Sequence, residues 1–208
     1  MTKFNPISDK IAVVIKQFRL KKSSEFFADK YSEPYILSFA IDEHGTKEAS
    51  IDFNILSFPK VKKGDVVSFD DQGHLVYGPK KPGNFLSYSI LFMESDKDIR
   101  ELGKIIEEII KAKAFDDSMK TLLSLANNYT RIAFVVQKIA EVLAIQLKNN
   151  KDDELFRRNG TLFKDSKPPF DILRTYQSEN NFIQMQTAII PLSSSNQLGS
   201  QVKKIKLK

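Results

Sequence analysis

Apolar and polar positions along this chain change their period twice. Residues 10–20 read Lys-Ile-Ala-Val-Val-Ile-Lys-Gln-Phe-Arg-Leu. Clustered β-branched residues followed by alternation predict a strand. A polar loop over 21–33 leads to Pro34, which opens a second strand through Ile41. Asp42-Glu43-His44-Gly45 has the composition of a turn. Alternation over 48–58 predicts a third strand, pairing back on the second as a hairpin. Lys62-Lys63-Gly64-Asp65 is a further turn, Val66 to Phe69 a short strand, and Asp70-Asp71-Gln72-Gly73 a turn with His74 to Tyr77 as its return. Residues 78–83 are a glycine, proline and lysine loop, and 85–93 form another strand. Short strands at this spacing belong to an antiparallel sandwich or barrel.

From Ile99 the period becomes helical. Ile99, Leu102, Ile105, Ile106, Ile109 and Ile110 share one face, and Glu101, Lys104, Glu107, Glu108 and Lys111 the other. Ser95 or Asp96 can cap this helix. Asp116-Asp117-Ser118 breaks it and can cap a second helix, about 118–148. That helix carries an apolar stripe from Leu122 to Leu147, with Phe134, Val135, Val142 and Ile145 on its other sides. Apolar residues this far round predict a largely buried helix. Strand character returns at 154–163 and 181–190, around the loop Lys167-Pro168-Pro169. From Ser193 the chain is linker-like, and Lys203 to Lys208 form a basic tail, ordered only by a partner. The expected organisation is α+β: an antiparallel β-sandwich of 1–95 and 150–192, an inserted two-helix hairpin over 96–149, and a flexible basic tail over 193–208.

At 208 residues the chain suits one domain with an embedded subdomain, and 41% apolar content supplies a core. It has no cysteine, which excludes disulfides, thiolate metal sites and cysteine nucleophiles. The first ten residues hold no apolar stretch suited to a signal peptide. The most apolar window, Ile132 to Leu147, is interrupted by Gln137, Lys138 and Glu141. It is too short to span a bilayer, so a soluble, cytoplasmic protein is expected. The net charge of +6 is carried mainly by scattered lysines. Arginine, the residue of bidentate base and phosphate contacts, is scarce, so a solvated surface is preferred over a nucleic-acid face.

Catalytic chemistry finds little support. His44 and His74 are the only histidines. Each adjoins a turn and reads as a surface residue, with no spacing for a metal or a nucleophile pair. No Gly-x-Ser-x-Gly and no phosphate-cradling glycine loop is present. Arg157-Arg158 lies on a predicted strand, which turns one of the two toward solvent.

Acidic residues collect where apolar runs stop. Glu94-Ser95-Asp96 closes the run Tyr88 to Met93, and Asp152-Asp153 opens Glu154-Leu155-Phe156. Carboxylates there serve as caps and turns or hold a hard cation. The run Ile11 to Leu20, then Lys21-Lys22, a polar loop and Ser32-Glu33-Pro34-Tyr35-Ile36 resembles the start of the C-two domain, a calcium- and lipid-binding β-sandwich. Glu94-Ser95-Asp96 and Lys151-Asp152-Asp153-Glu154-Leu155 resemble the two acidic pieces that flank one loop of that family. Here the predicted helices would sit inside that loop. The resemblance implies a C-two-like fold, with Glu33, Glu94, Asp96 and Asp152 or Asp153 at calcium-ligand positions.

Three functional classes follow. The preferred one is a non-catalytic protein-interaction or structural module within a larger assembly. It would use the helical hairpin toward a protein partner or a second copy, and Lys203 to Lys208 toward an acidic partner. The second is calcium-dependent binding to acidic membrane lipids. The third is weak electrostatic nucleic-acid binding through the lysines and the tail.

Overall fold

The computed structural model describes residues 4–22, 31–48, 50–58, 60–94, 108, 117, 120, 129–149, 152–194 and 203–206. Among these, β1 (Ile11–Leu20), β2 (Tyr31–Ser32), β3 (Pro34–Asp42), α1 (Glu43–Glu48), β4 (Ser50–Ser57), β5 (Val61–Lys62), β6 (Val66–Ser68), β7 (His74–Lys80) and β8 (Phe85–Glu94) precede a long helix, α2 (Tyr129–Asn149). Strands β9 (Asp153–Phe163), β10 (Thr175–Glu179), β11 (Ile183–Pro191) and β12 (Lys203–Lys206) follow it.

Two five-stranded sheets form the body, with β2 and β5 as a small separate ribbon. The outer sheet runs β10-β11-β1, and both β6 and β7 pair with the far edge of β1. The other sheet runs β12-β4-β3-β8-β9. Every pairing is antiparallel. The predicted α+β sandwich is therefore present at the level of architecture, including the β3–β4 hairpin.

The β3–β8 sheet is a middle layer. Ile36, Ala40, Leu86, Tyr88, Ile90 and Phe92 face the outer sheet and meet Ile11, Val13, Ile15 and Phe18 of β1. From the opposite face Tyr35, Leu37, Phe39, Leu91 and Met93 meet Ile132, Val136, Ile139 and Leu143 of α2. Burial on both faces explains the nearly unbroken apolar runs of β3 and β8. Phe18 stands edge-on to Phe92 at 5.0 Å and to Phe58 at 5.1 Å, which closes one end of the sandwich core.

Strand β1 shows how the sequence sets register. Ile11, Val13 and Ile15 point inward, and so do Phe18 and Leu20, although strict alternation would turn the latter two outward. The pairing with β11 slips between Ile15 and Gln17. Lys16 is the extra residue of a β-bulge, and it restores the inward phase.

Several expectations change. Asp42-Glu43-His44-Gly45 is not a simple turn: Asp42 Oδ1 accepts the Gly45 N–H at 2.6 Å and starts α1. Of the second predicted helix, about 118–148, the described part is Tyr129–Asn149, and 118, 119 and 121–128 lie outside the described residues. The first, with Asp96, lies outside the described residues apart from Glu108. The helix is not buried all round, since Phe134 and Ile145 are each 58% exposed. Strand β10 was not expected, because Thr-Tyr-Gln-Ser-Glu carries one apolar side chain; it pairs with β11 along its whole length. The basic tail was expected to need a partner for order. Lys203–Lys206 instead pair with β4 of the same chain.

Candidate functional site

Among the described residues, three places around the middle sheet and α2 gather polar or exposed apolar groups. The first is the acidic end of the middle sheet. Register sets Glu94 opposite Pro34 on one side and opposite Asp153 on the other. Glu33, Glu94, Asp152 and Asp153 thus reach one end of three neighbouring strands. Glu33 and Asp153 are exposed, whereas Glu94 and Asp152 are buried. Asp96 lies outside the described residues. Asp152 ties the helix to the sheet: its N–H donates to Leu147 O at 3.1 Å, and its Oδ2 accepts the Tyr35 hydroxyl at 2.7 Å. Burial and this carboxylate push the Tyr35 phenol far up, so it stays a donor. Among the described residues no group of three His, Cys, Asp or Glu side chains has metal-binding spacing.

The second place is a polar seam between β4 and β7, inside the sandwich. On β4, Ile51 and Phe53 face α2, which turns Asp52 and Asn54 toward the outer sheet. There Lys80 Nζ lies 2.7 Å from Asp52 Oδ2 and 3.1 Å from Asp42 Oδ2, and the Tyr77 hydroxyl donates to Asp42 Oδ2 at 2.7 Å. Burial works to lower the Lys80 ammonium, but the two carboxylates outweigh it and raise it. Burial and Asp42 push the Tyr77 phenol far up. The cluster, two carboxylates sharing one ammonium and one phenol, braces the two sheets. Removing Lys80 would leave two buried carboxylates without their cation, so the members act together.

His74 belongs to the same seam. His74 is not the surface residue that the sequence suggests: it is 2% exposed. Adjacency to a turn suggested exposure, yet β7 begins at His74 and directs the ring inward against Phe69, with centroids 5.4 Å apart. Asn54 Nδ2 donates to Leu75 O at 2.9 Å and lies 3.1 Å from His74 Nε2. A carbonyl can only accept, so the Asn54 atom facing it is the amine. Nε2 is then the acceptor of the pair, and the imidazole is neutral. Burial pushes it down from 6.5 to about 4. His44 is exposed, as expected. Arg157 pairs with Glu154 at 2.6 Å, and Arg158 lies over the Tyr176 ring at 5.0 Å.

The third place is the outer face of α2. Its inner face, Ile132, Val136, Ile139, Ala140, Leu143 and Leu147, is fully buried. Opposite it run Phe134, Lys138, Glu141 and Ile145. At 100° per residue they fall within about 60° of one another. Lys138 Nζ sits 5.5 Å from the Phe134 ring centroid and 2.6 Å from Glu141 Oε2. Beside Ile145 a cleft of about 420 Å³ opens toward the start of β9, lined by Lys148, Asp153, Glu154 and Arg157. No helix among the described residues is long and apolar enough to cross a membrane.

Comparison with protein-family models, with curated proteins and with solved structures gives no match to this chain.

The polar seam went unread in the sequence because the alternation of β4 looks like a strand with one wet face. The signal was present in Asp52 and Asn54 on one strand with His74 and Lys80 on another, but only the packing of the β4 sheet against the sheet that holds β7 turns it inward.

Proposed function

We propose that this chain is a non-catalytic protein-interaction module, and that α2 is its docking element. One observation carries the reading. A helix whose inner face is anchored across the middle sheet turns two large apolar side chains, Phe134 and Ile145, outward at 58% exposure each. Large apolar side chains framed by charges on a rigid element are the composition of an interface core with its rim. The polar groups of the chain support the same reading from the other side. The seam of Asp42, Asp52, Tyr77 and Lys80 pairs within itself, as a structural brace does.

The test is affinity capture from extracts of the source cells, with the wild-type chain against Phe134→Asp/Ile145→Asp. Both positions are exposed, so the variant should keep its thermal midpoint. A specific protein held by the wild type and lost by the variant is the expected outcome. Capture of no specific protein, or equal capture by both chains, overturns the reading.

A second reading is calcium-dependent docking to acidic lipids by a C-two-like sandwich. The register that brings Glu33, Glu94 and Asp153 to one end of the middle sheet favours it. Calorimetry with millimolar calcium should then give heat that Glu33→Gln/Asp153→Asn abolishes. Absence of heat and of any thermal shift rejects it.

A further inference from the structure

The outward stripe of α2 has an internal symmetry. Its members stand at 134, 138, 141 and 145, spaced four, three and four residues apart. That is the spacing of alternating a and d positions in a coiled-coil seam. The order of side chains is apolar, basic, acidic, apolar, centred between Ile139 and Ala140. Reversing the helix about that centre exchanges Phe134 with Ile145 and Lys138 with Glu141.

We propose that the partner of this face is a second copy of the same chain, with the two α2 helices packed antiparallel about a twofold axis. The proposal rests on reading the outer face of α2 as an interaction surface, and it names the occupant. In an antiparallel pair each layer joins an a position of one helix to a d position of the other. Phe134 then meets Ile145 of the second copy, and Lys138 meets Glu141, each contact occurring twice, as an isologous interface requires. The outer layers join apolar side chains and the inner layers join opposite charges. A parallel pair would instead set Lys138 on Lys138 and Glu141 on Glu141, so the charges select the antiparallel direction. Phe134 and Ile145 are eleven residues apart, a seam of roughly 16 Å at 1.5 Å per residue. So short a seam is smaller than a standard interface, and association should be in the micromolar range, about 1–100 μM.

The charge pattern supplies its own test. Sedimentation equilibrium is run on the full chain, from about 10 μM to about 1 mM, for wild type, Lys138→Glu, Glu141→Lys and an equimolar mixture of the two variants. The wild-type mass should rise toward twice the 23.8 kDa of one chain. Each variant sets like charges opposite one another in the pair and should weaken association by about tenfold or more. The mixture should recover it, because the glutamate introduced at position 138 of one variant then faces the lysine introduced at position 141 of the other. The intrachain contact of Lys138 with Glu141 is lost in both variants and stays lost in the mixture, so recovery reports the contact between chains alone. Unchanged circular dichroism in the single variants confirms that the helix is retained.

A wild type that stays monomeric to the highest concentration overturns the proposal. So does association that both single variants leave intact, or a mixture that remains as weak as its components. A monomeric chain whose capture of some other protein still depends on Phe134 and Ile145 would refute self-pairing while leaving the interaction reading standing.

Discussion

The buried His74 makes the stability of this protein depend on pH in a direction and amount that follow from its surroundings. The ring is neutral in the folded chain, accepting from Asn54, whose amine is also committed to Leu75 O. Protonation would place an N–H of the ring against that amine. Turning the Asn54 amide over would relieve the clash only by setting its oxygen against the Leu75 carbonyl. Burial of the ring holds the folded group down at about 4, against 6.5 in the unfolded chain. Between those values the unfolded chain binds more protons, so stability falls as pH falls. The contribution is complete above pH 6.5, is lost on descending toward pH 4, and is constant below. A separation of this size is worth about 3 kcal/mol in all, of which roughly 2 kcal/mol is gone by about pH 5. The assay is urea denaturation of wild type and His74→Gln at about pH 7.5 and about pH 5. Glutamine can still accept from Asn54 but does not titrate, and carboxylate effects common to both proteins cancel in the difference. The wild type should lose about 2 kcal/mol more than the variant between the two conditions. Equal losses, within about 0.5 kcal/mol, would refute a buried neutral His74.

Two further substitutions probe the layers around the middle sheet. Leu143→Ala removes a fully buried side chain between α2 and that sheet and should cost about 2–5 kcal/mol in denaturant unfolding. A cost below about 1 kcal/mol would mean that the helix does not complete the core. Gly160 of β9 lies opposite Tyr88, and a Cβ built there would overlap the Tyr88 ring. Gly160→Ala should therefore cost about 1–3 kcal/mol, whereas an unchanged midpoint would contradict the close seating of Tyr88 on that glycine.

Much of this fold is legible in local pattern. The break in phase after Ile15 is visible in the chain, and the β-bulge at Lys16 is its structural answer. The apolar runs of β3 and β8 read as strands, and the pairing of β3 with β4 follows from their adjacent strand patterns, although α1 and not a tight turn joins them. What covers each face is not a local property. The apolar girth of α2 suggested a largely buried helix, yet a single sheet face accommodates only one side of a helix, and Phe134 and Ile145 stay outside. The acidic strand ends are separate motifs in the chain, and the register of β3, β8 and β9 is what sets them side by side. The partnership of Asp42 and Asp52 with Lys80 joins residues from β3, β4 and β7, and no motif announces it. His74 was misjudged for the same reason: the turn before it is local, and the Asn54 that receives it is not.

The absence of cysteine allows the outer face of α2 to be tested directly. Phe134→Cys and Ile145→Cys chains are prepared separately, mixed in equal amounts and oxidised, and the disulfide-linked species are separated by mass. If α2 pairs antiparallel with a second copy, the linked product joins position 134 of one chain to position 145 of the other. It then exceeds the random proportion over both symmetric dimers. Linkage at the random proportion, a predominance of the symmetric dimers, or no linkage under conditions that oxidise the free thiols would contradict the account.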